Sequence, residues 1–166
     1  MTKYTNKQRS KIYKVKSKIK PTIATRSVPK GKSKTAKEER SRMLKKIIPD
    51  YYGKYYCPAL KDNVVINSNI SLHKMLSASI IEQKSTIAAL MLKELIKKAE
   101  LIYKTKPKDN AGQKSFSAIY VLVAAIRGIG WAKLTIGKYK EDARKSQAPY
   151  CQYCVKHLSI HELKNK

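Results

Sequence analysis

Residues 115–139 read SFSAIYVLVAAIRGIGWAKLTIGKY, and this stretch decides the fold class. Its first half, 115–126, is rich in the β-branched and aromatic residues that favour strands. A turn follows around Gly128, because glycines punctuate regular structure. The second half alternates apolar with more polar residues, which is typical of a strand with one buried face. Its apolar positions are Ala132, Leu134 and Ile136. The stretch therefore predicts two consecutive strands of one sheet.

The elements around this stretch predict the rest of the fold. A short strand is expected at 64–66, and a helix that opens at 67–71 follows it. Ser85 is predicted to cap a longer helix that runs to about Ala99, because apolar residues recur there at helical spacing. The chain becomes extended again near 101–103, and 149–160 predicts a last strand or a helix. Helices grouped before a run of strands predict an α+β fold, with an antiparallel sheet of about four strands and two helices on one face.

The first 48 residues form a basic arm. They hold 17 lysines and arginines against two acids, out of a net charge of +26 for the chain. Such a segment cannot bury enough apolar surface to offset its ordering entropy, so we expect it to be disordered unless a partner orders it. A capping box at Thr35 and Glu38 predicts one short helix, near 36–47, that Pro49 ends. The predicted domains are thus an arm, 1–48, and an α+β domain, 51–166.

The charge of the chain indicates a nucleic-acid partner, either RNA or DNA. Lysine and arginine bind phosphates and release counterions, and a dense polyanion is what would condense the arm. Several predicted contacts alternate along the arm, so an extended segment would present lysines on one face. The predicted nucleic-acid-binding residues are Arg9, Lys11, Lys14, Lys16, Lys18, Lys20, Arg26, Lys30, Lys32, Lys34, Arg40, Arg42, Lys45, Lys46, Lys74 and Lys133.

The remaining composition narrows the class of protein. Three cysteines without a secretory signal argue against a disulfide scaffold. No apolar run reaches the roughly 18 residues that span a bilayer, so no membrane partner is expected. We therefore expect a cytoplasmic or virion protein without a cofactor. The eleven tyrosines suit faces that contact nucleic acid, although a codon bias of a low-GC genome would explain them equally well.

The order of elements after Val64 resembles a known family. The segments are VVI, SLHKML, KSTIAALMLKELIKKAELI, QKSFSAIYVLVAAIRGIGWAKLTIG and YCQYCV. Together they resemble the large polyvalent protein-associated domains of phages and mobile elements, which are grouped with the barnase–EndoU–colicin–RelE-like nucleases. The resemblance covers roughly residues 56–158 and implies two helices on a curved antiparallel sheet. It also implies RNA cleavage in active members, whereas this chain differs in being short and in carrying a basic arm.

The residues that could carry such chemistry are His73, Lys84, Ser85 and Tyr153. A metal-free ribonuclease needs a general acid, a general base and a cation for the phosphorane. The resemblance implies a histidine on the first helix, where His73 lies, and Lys84 and Ser85 open the second helix, where amides bind phosphate. Each also has an ordinary interpretation: His73 as a surface helix residue, Ser85 as an N-cap, and Lys133 as a solvated strand residue.

Four zinc-type ligands lie near the C-terminus, at Cys151, Cys154, His157 and His161. Their residue types suit zinc, but the gap between the two pairs is too short for a finger. As a strand, the segment would place Cys151 and Cys154 on opposite faces. We therefore predict no metal site and keep these four residues as an alternative.

Three hypotheses of function follow from these observations. The first is a basic nucleic-acid-binding protein of a phage or mobile element with a nuclease-like domain, associated with a genome or a virion. The second is an active metal-independent ribonuclease of the toxin or effector type. The third is a ribosome-associated RNA-binding protein. Virion or ribonucleoprotein proteins would be further partners, and the sequence leaves open whether the chain is an enzyme.

Overall fold

A computed structural model of the chain describes residues 27–66, 79–109, 115–141 and 153–161. Within them are three helices: α1 (Lys34–Tyr51), α2 (Gln83–Leu90) and α3 (Leu92–Lys98). The six strands are β1 (Gly53–Cys57), β2 (Asp62–Ile66), β3 (Glu100–Thr105), β4 (Phe116–Ile126), β5 (Gly130–Tyr139) and β6 (Tyr153–His161). The chain thus has an α+β architecture. The predicted helix that opens at 67–71 falls outside the described residues.

The β4–β5 hairpin confirms the two strands predicted from 115–139. The strands pair antiparallel from Phe116 opposite Tyr139 to Ile126 opposite Gly130. Between them, the Ile129 amide donates to the Ile126 carbonyl over 3.0 Å. Gly128 has a φ of +75°, which side chains other than glycine adopt reluctantly. The glycine predicted to mark the turn is therefore the residue that allows it.

The prediction of an antiparallel sheet of about four strands is wrong. The six described strands form one sheet in the order β1-β2-β6-β5-β4-β3. β6 pairs antiparallel with β5 but parallel with β2, through Val64 opposite Tyr153 and Val65 opposite Cys154. The sheet is therefore mixed, and with the β1–β2 hairpin at one edge it has more strands than the four predicted. Parallel pairing between distant segments leaves no signal in the local sequence pattern.

The prediction of two helices is also wrong, because three described helices pack on one face of the sheet. We call this face the helix side. Helices and strands there share one apolar cluster, since alternate residues of each strand point the same way. Its fully buried members include Leu92 and Leu95 of α3, and Leu122 and Leu134 of the hairpin. This cluster is the main core.

The opposite face of the sheet, which we call the far side, is also apolar. A smaller cluster there contains Phe116, Ile119, Tyr139 and Cys154. The ring of Phe116 lies over Gly137, where an added Cβ would come within 2.5 Å of it. Phe116 also contacts Tyr139, with ring centroids 5.1 Å apart. β4 is buried on both faces, which is what its nearly continuous apolar run favours.

Helix α1 is longer than the predicted 36–47 and belongs to the folded part of the chain. Ser33 caps it by accepting from the Ala36 amide over 3.1 Å, so the predicted capping box at Thr35 is not used. Pro49 lies inside the last turn and does not end the helix. Leu44 is buried in the main core, and the Tyr51 hydroxyl donates to the Ala89 carbonyl of α2 over 2.6 Å. The boundary predicted between the arm and the domain stays a prediction, but these contacts favour a boundary that precedes α1.

The helix predicted from Ser85 to Ala99 is two helices. Glu82, rather than Ser85, is the N-cap residue of α2. The helices meet at Met91, whose φ of −106° and ψ of 12° leave the helical geometry. Thr86 is buried, and its hydroxyl donates to the Ser79 carbonyl over 2.6 Å. This bond satisfies a buried carbonyl of the segment that precedes α2.

Candidate nucleic-acid interface

The outer surface of α1 carries exposed cations. Arg42, Lys45 and Lys46 lie on it, and their spacing of three and four residues places them side by side on the helix. Arg42 and Lys46 line a shallow groove together with Pro29. A second groove on this helix is lined by Lys32, Lys34 and Lys37. We call the cations of these two grooves and Lys45 the α1 basic surface.

Arg40 is a correction to the predicted set of nucleic-acid-binding residues. Its side chain is fully buried, at 0 % exposure. Its guanidinium donates to the carbonyls of Ile80, Pro29 and Ile81 over 2.8, 2.8 and 3.2 Å. A guanidinium that is fully buried and bonded to three carbonyls is not accessible to a phosphate from solution. Arg40 therefore anchors α1 and the segment before it to the segment before α2.

Apart from Lys133, which is half-buried on β5, the other predicted basic contacts divide into two groups. Lys30, Lys32, Lys34, Arg42, Lys45 and Lys46 are exposed, as phosphate contacts require. Outside the described residues lie Arg9, Lys11, Lys14, Lys16, Lys18, Lys20, Arg26 and Lys74. His73, the predicted acid–base residue, also lies outside them.

Lys84 and Ser85 lie half-buried in the first turn of α2. The neighbouring Gln83 side-chain amide donates to the Val28 carbonyl over 2.8 Å. This bond holds the turn against the segment that precedes α1. Lys84 and Ser85 thus follow a residue that contacts the segment before α1, and their predicted catalytic role stays a prediction.

Tyr153 and Lys133 lie on opposite sides of the sheet. Tyr153 belongs to the main core on the helix side, next to Val64. Lys133 alternates with Ala132 and Leu134, which are core residues of the helix side, so its side chain points to the far side. The candidate catalytic residue Tyr153 and the predicted binding residue Lys133 therefore point to different faces of the sheet.

The surroundings of these two residues shift their pKa values in different ways. Burial raises the pKa of Tyr153, and the neighbouring Tyr120, Asp62 and Cys57 raise it further. Burial lowers the pKa of Lys133, and the positive charge of Lys108 lowers it further. The surroundings thus favour the neutral form of both side chains: the protonated phenol of Tyr153 and the uncharged amine of Lys133.

Three residues near Tyr153 were not singled out by the sequence pattern. Lys104, Tyr120 and Lys138 share the helix side with it, each on a different strand. Tyr120 and Tyr153 contact edge to face, with ring centroids 5.6 Å apart. The two-residue period of each strand places each residue on a face, but the order of the strands decides which ones meet.

The described part of the cysteine and histidine cluster is buried. Cys154 is 2 % exposed and belongs to the far-side cluster. Cys151 and the side chains of His157 and His161 lie outside what the structure describes. Among the described side chains, no group of three or more His, Cys, Asp or Glu residues could hold a metal ion.

Within the described ranges, no helix is both long and apolar enough to cross a membrane. No protein-family model matches the chain, and no match was found among curated proteins or solved structures. The resemblance to the nuclease superfamily therefore stays a prediction.

Proposed function

We propose that the protein binds nucleic acid through phosphate contacts made by the α1 basic surface and the basic arm before it. The observation that carries this proposal is that α1 has a buried arginine on one side and exposed cations on another. Arg40 fixes the buried side of the helix to its neighbours. The side chains of Arg42, Lys45 and Lys46 are exposed to solvent on the same helix. A cationic surface on a docked helix loses little entropy when a polyanion binds.

The dimensions of α1 fit this role. From Lys34 to Lys46 the helix rises about 18 Å, a length over which one strand of duplex DNA carries about five phosphates. Glu38 and Glu39 lie on the same helix and reduce its net charge. The surplus of lysine and arginine nevertheless extends into the arm. Phosphate contacts carry no base information, so we expect weak sequence preference.

Binding is favoured over catalysis by the position of the candidate catalytic groups. The ribonuclease hypothesis needs an acid–base pair and a cation around one scissile bond. Among the candidate catalytic residues, Tyr153 is only 8 % exposed and belongs to the main core, where a phosphate reaches it poorly. The genome- or virion-associated role and the ribosome-associated role both use the same phosphate contacts.

The test is a charge-matched pair of triple variants of the full chain. In the first, Arg42, Lys45 and Lys46 are replaced by Gln. In the control, the exposed Lys97, Lys98 and Arg127 are replaced by Gln, which removes the same charge elsewhere. Binding to a labelled duplex is measured by fluorescence anisotropy over a range of salt concentrations. The α1 variant should lower the slope of log K against log salt by about 0.9 for each phosphate that it no longer binds, and the control should change the slope little.

Two results would overturn the proposal. An unmodified chain without salt-dependent binding would exclude nucleic acid as the partner. Equal losses of affinity in both variants would show that net charge, rather than the α1 basic surface, drives binding. The contribution of the arm is measured by removing residues 1–26. A longer deletion would remove Val28 and Pro29, whose carbonyls accept from Gln83 and Arg40.

A further inference from the structure

Four side chains on four strands form two adjacent pairs on the helix side of the sheet, offset by two residues because Tyr120 lies opposite Ile136 of β5 rather than Lys138. Lys104 of β3 is paired with Tyr120 of β4, and Lys138 of β5 is paired with Tyr153 of β6. Their alternation places all four on the same face. We call these residues the tyrosine–lysine row.

The contacts within the row are specific. The rings of Tyr120 and Tyr153, on the two strands that flank β5, contact edge to face at an interplanar angle of 78°. Lys104 Nζ lies 5.6 Å from the Tyr120 ring centroid. Lys138 Nζ lies 6.0 Å from the Tyr153 ring centroid. Each ring is thus oriented by the other and accompanied by one ammonium group.

The degree of exposure distinguishes the two rings. Tyr153 is 8 % exposed and serves as the support, whereas Tyr120 is only partly buried. Lys104 is exposed on the edge strand β3, and Lys138 is partly exposed. The accessible part of the row is therefore Tyr120 with the Lys104 ammonium beside it, while Lys138 lies against Tyr153.

This combination matches the chemistry of an unpaired nucleotide. Aromatic faces stack on bases, and adjacent cations neutralise the phosphates that flank a stacked base. Bases inside a duplex are already stacked and cannot reach a side chain in this way. Asp62 lies near Tyr153, at the β2 end of the row, and repels phosphate there. A bound strand would therefore extend from Tyr120 toward Lys104.

We propose that the tyrosine–lysine row is a stacking site for single-stranded nucleic acid, with Tyr120 as the residue that stacks on a base. This inference rests on the proposed function and adds a preference for unpaired strands. The α1 basic surface supplies affinity for any polyanion, whereas the row responds to the bases.

The test compares an oligothymidylate with an abasic oligomer of the same length, both binding to the full chain. The abasic oligomer keeps the phosphates but has nothing to stack. We expect the unmodified protein to prefer the oligothymidylate. Tyr120→Ala should weaken oligothymidylate binding about 5- to 100-fold, the effect of removing one base–aromatic stack, and leave the abasic oligomer unaffected. Tyr120→Phe should keep most of the preference, because the ring remains.

The matched control is Tyr56→Ala. Tyr56 is 55 % exposed on β1, beyond β2 from the row, and its replacement should change neither affinity. A second measurement does not depend on how the variants fold. Photo-cross-linking of the unmodified protein to an oligomer that carries 4-thiothymidine should place an adduct on Tyr120 or Tyr153.

The outcomes separate this inference from the proposed function. Binding to neither oligomer would overturn both. Equal binding to the two oligomers by the unmodified protein would leave the proposed function standing and overturn the row as a stacking site. Equal losses of affinity for both oligomers in Tyr120→Ala, or adducts only outside the row, would overturn it as well.

Discussion

The β4–β5 hairpin and helix α1 are held in the structure by different forces. The hairpin is held by apolar burial on both of its faces, together with a ladder of backbone hydrogen bonds. Helix α1 buries Leu44 and Tyr51 on one side only, and a buried arginine that donates to three backbone carbonyls holds the same helix. The contrast shows that a cation in a basic segment can be structural. Its neighbours on the same helix remain available for a ligand.

The largest expected effect is in the hairpin. Leu134 is fully buried in the main core, and Leu134→Ala should lower the free energy of unfolding by about 4 kcal/mol, because it leaves a cavity. Chemical denaturation measures this change. Thr105→Ala, at an exposed position on β3, is the control and should change stability by less than about 0.5 kcal/mol. Similar losses of stability in both variants would contradict the burial described for the hairpin.

The next effect is at the anchor of α1. Arg40→Ala should lower the free energy of unfolding by about 3 kcal/mol, because three carbonyls lose their donor in a region that water reaches poorly. Arg42→Ala, two residues away and on the outer surface, should cost less than about 0.5 kcal/mol. In the binding assay the order should reverse, with Arg42→Ala weakening phosphate contacts more than any Arg40 variant that still folds. If Arg40→Ala and Arg42→Ala had equal effects on stability and equal effects on binding, the distinction between a structural and a ligand-binding arginine would be wrong.

A smaller effect is expected on the far side of the hairpin. Gly137→Ala would place a Cβ within 2.5–2.8 Å of the Phe116 ring. That ring also packs against Tyr139, so we expect a decrease of about 2 kcal/mol in stability from overpacking. The double variant Gly137→Ala with Phe116→Leu should lose less than the sum of the single changes, because the clash is removed. A strictly additive double variant would argue against this contact.

The smallest effect concerns the pH dependence that Lys133 contributes. Its pKa in the folded protein lies below the ordinary 10.5, because of burial and then Lys108. The folded state therefore binds fewer protons there than the unfolded state, so this residue's contribution to stability increases as pH rises through the lowered pKa. Titration by NMR should show the pKa of Lys133 rising in Lys108→Gln. Lys61→Gln, with the same charge change beside β1, is the control and should leave the pKa of Lys133 unchanged. An unchanged pKa in Lys108→Gln would contradict the proximity of Lys108 to Lys133.

The fold was only partly predictable from sequence. Features set by local interactions were predictable, whereas features set by contacts between distant segments were not. Strand periodicity and Gly128 predicted the hairpin correctly, because both signals are local. Strands were also expected where β2 and β3 are found, and a strand or helix where β6 lies. Their arrangement was not predictable, since the pairing of Val64 with Tyr153 joins distant segments. The break at Met91 was not predicted because the apolar spacing continues across it.

The candidate site divides in the same way. The sequence by itself determined that the chain is strongly basic, that its N-terminal part carries most of this charge, and that the 115–139 stretch forms two strands. Charge and periodicity depend only on residue order. Only the tertiary structure decided that Arg40 is buried, that Tyr153 and Lys133 lie on opposite faces, and that Tyr120 meets Tyr153. The physical reason is that burial and side-chain contacts depend on which strands and helices become neighbours, and long-range packing sets this.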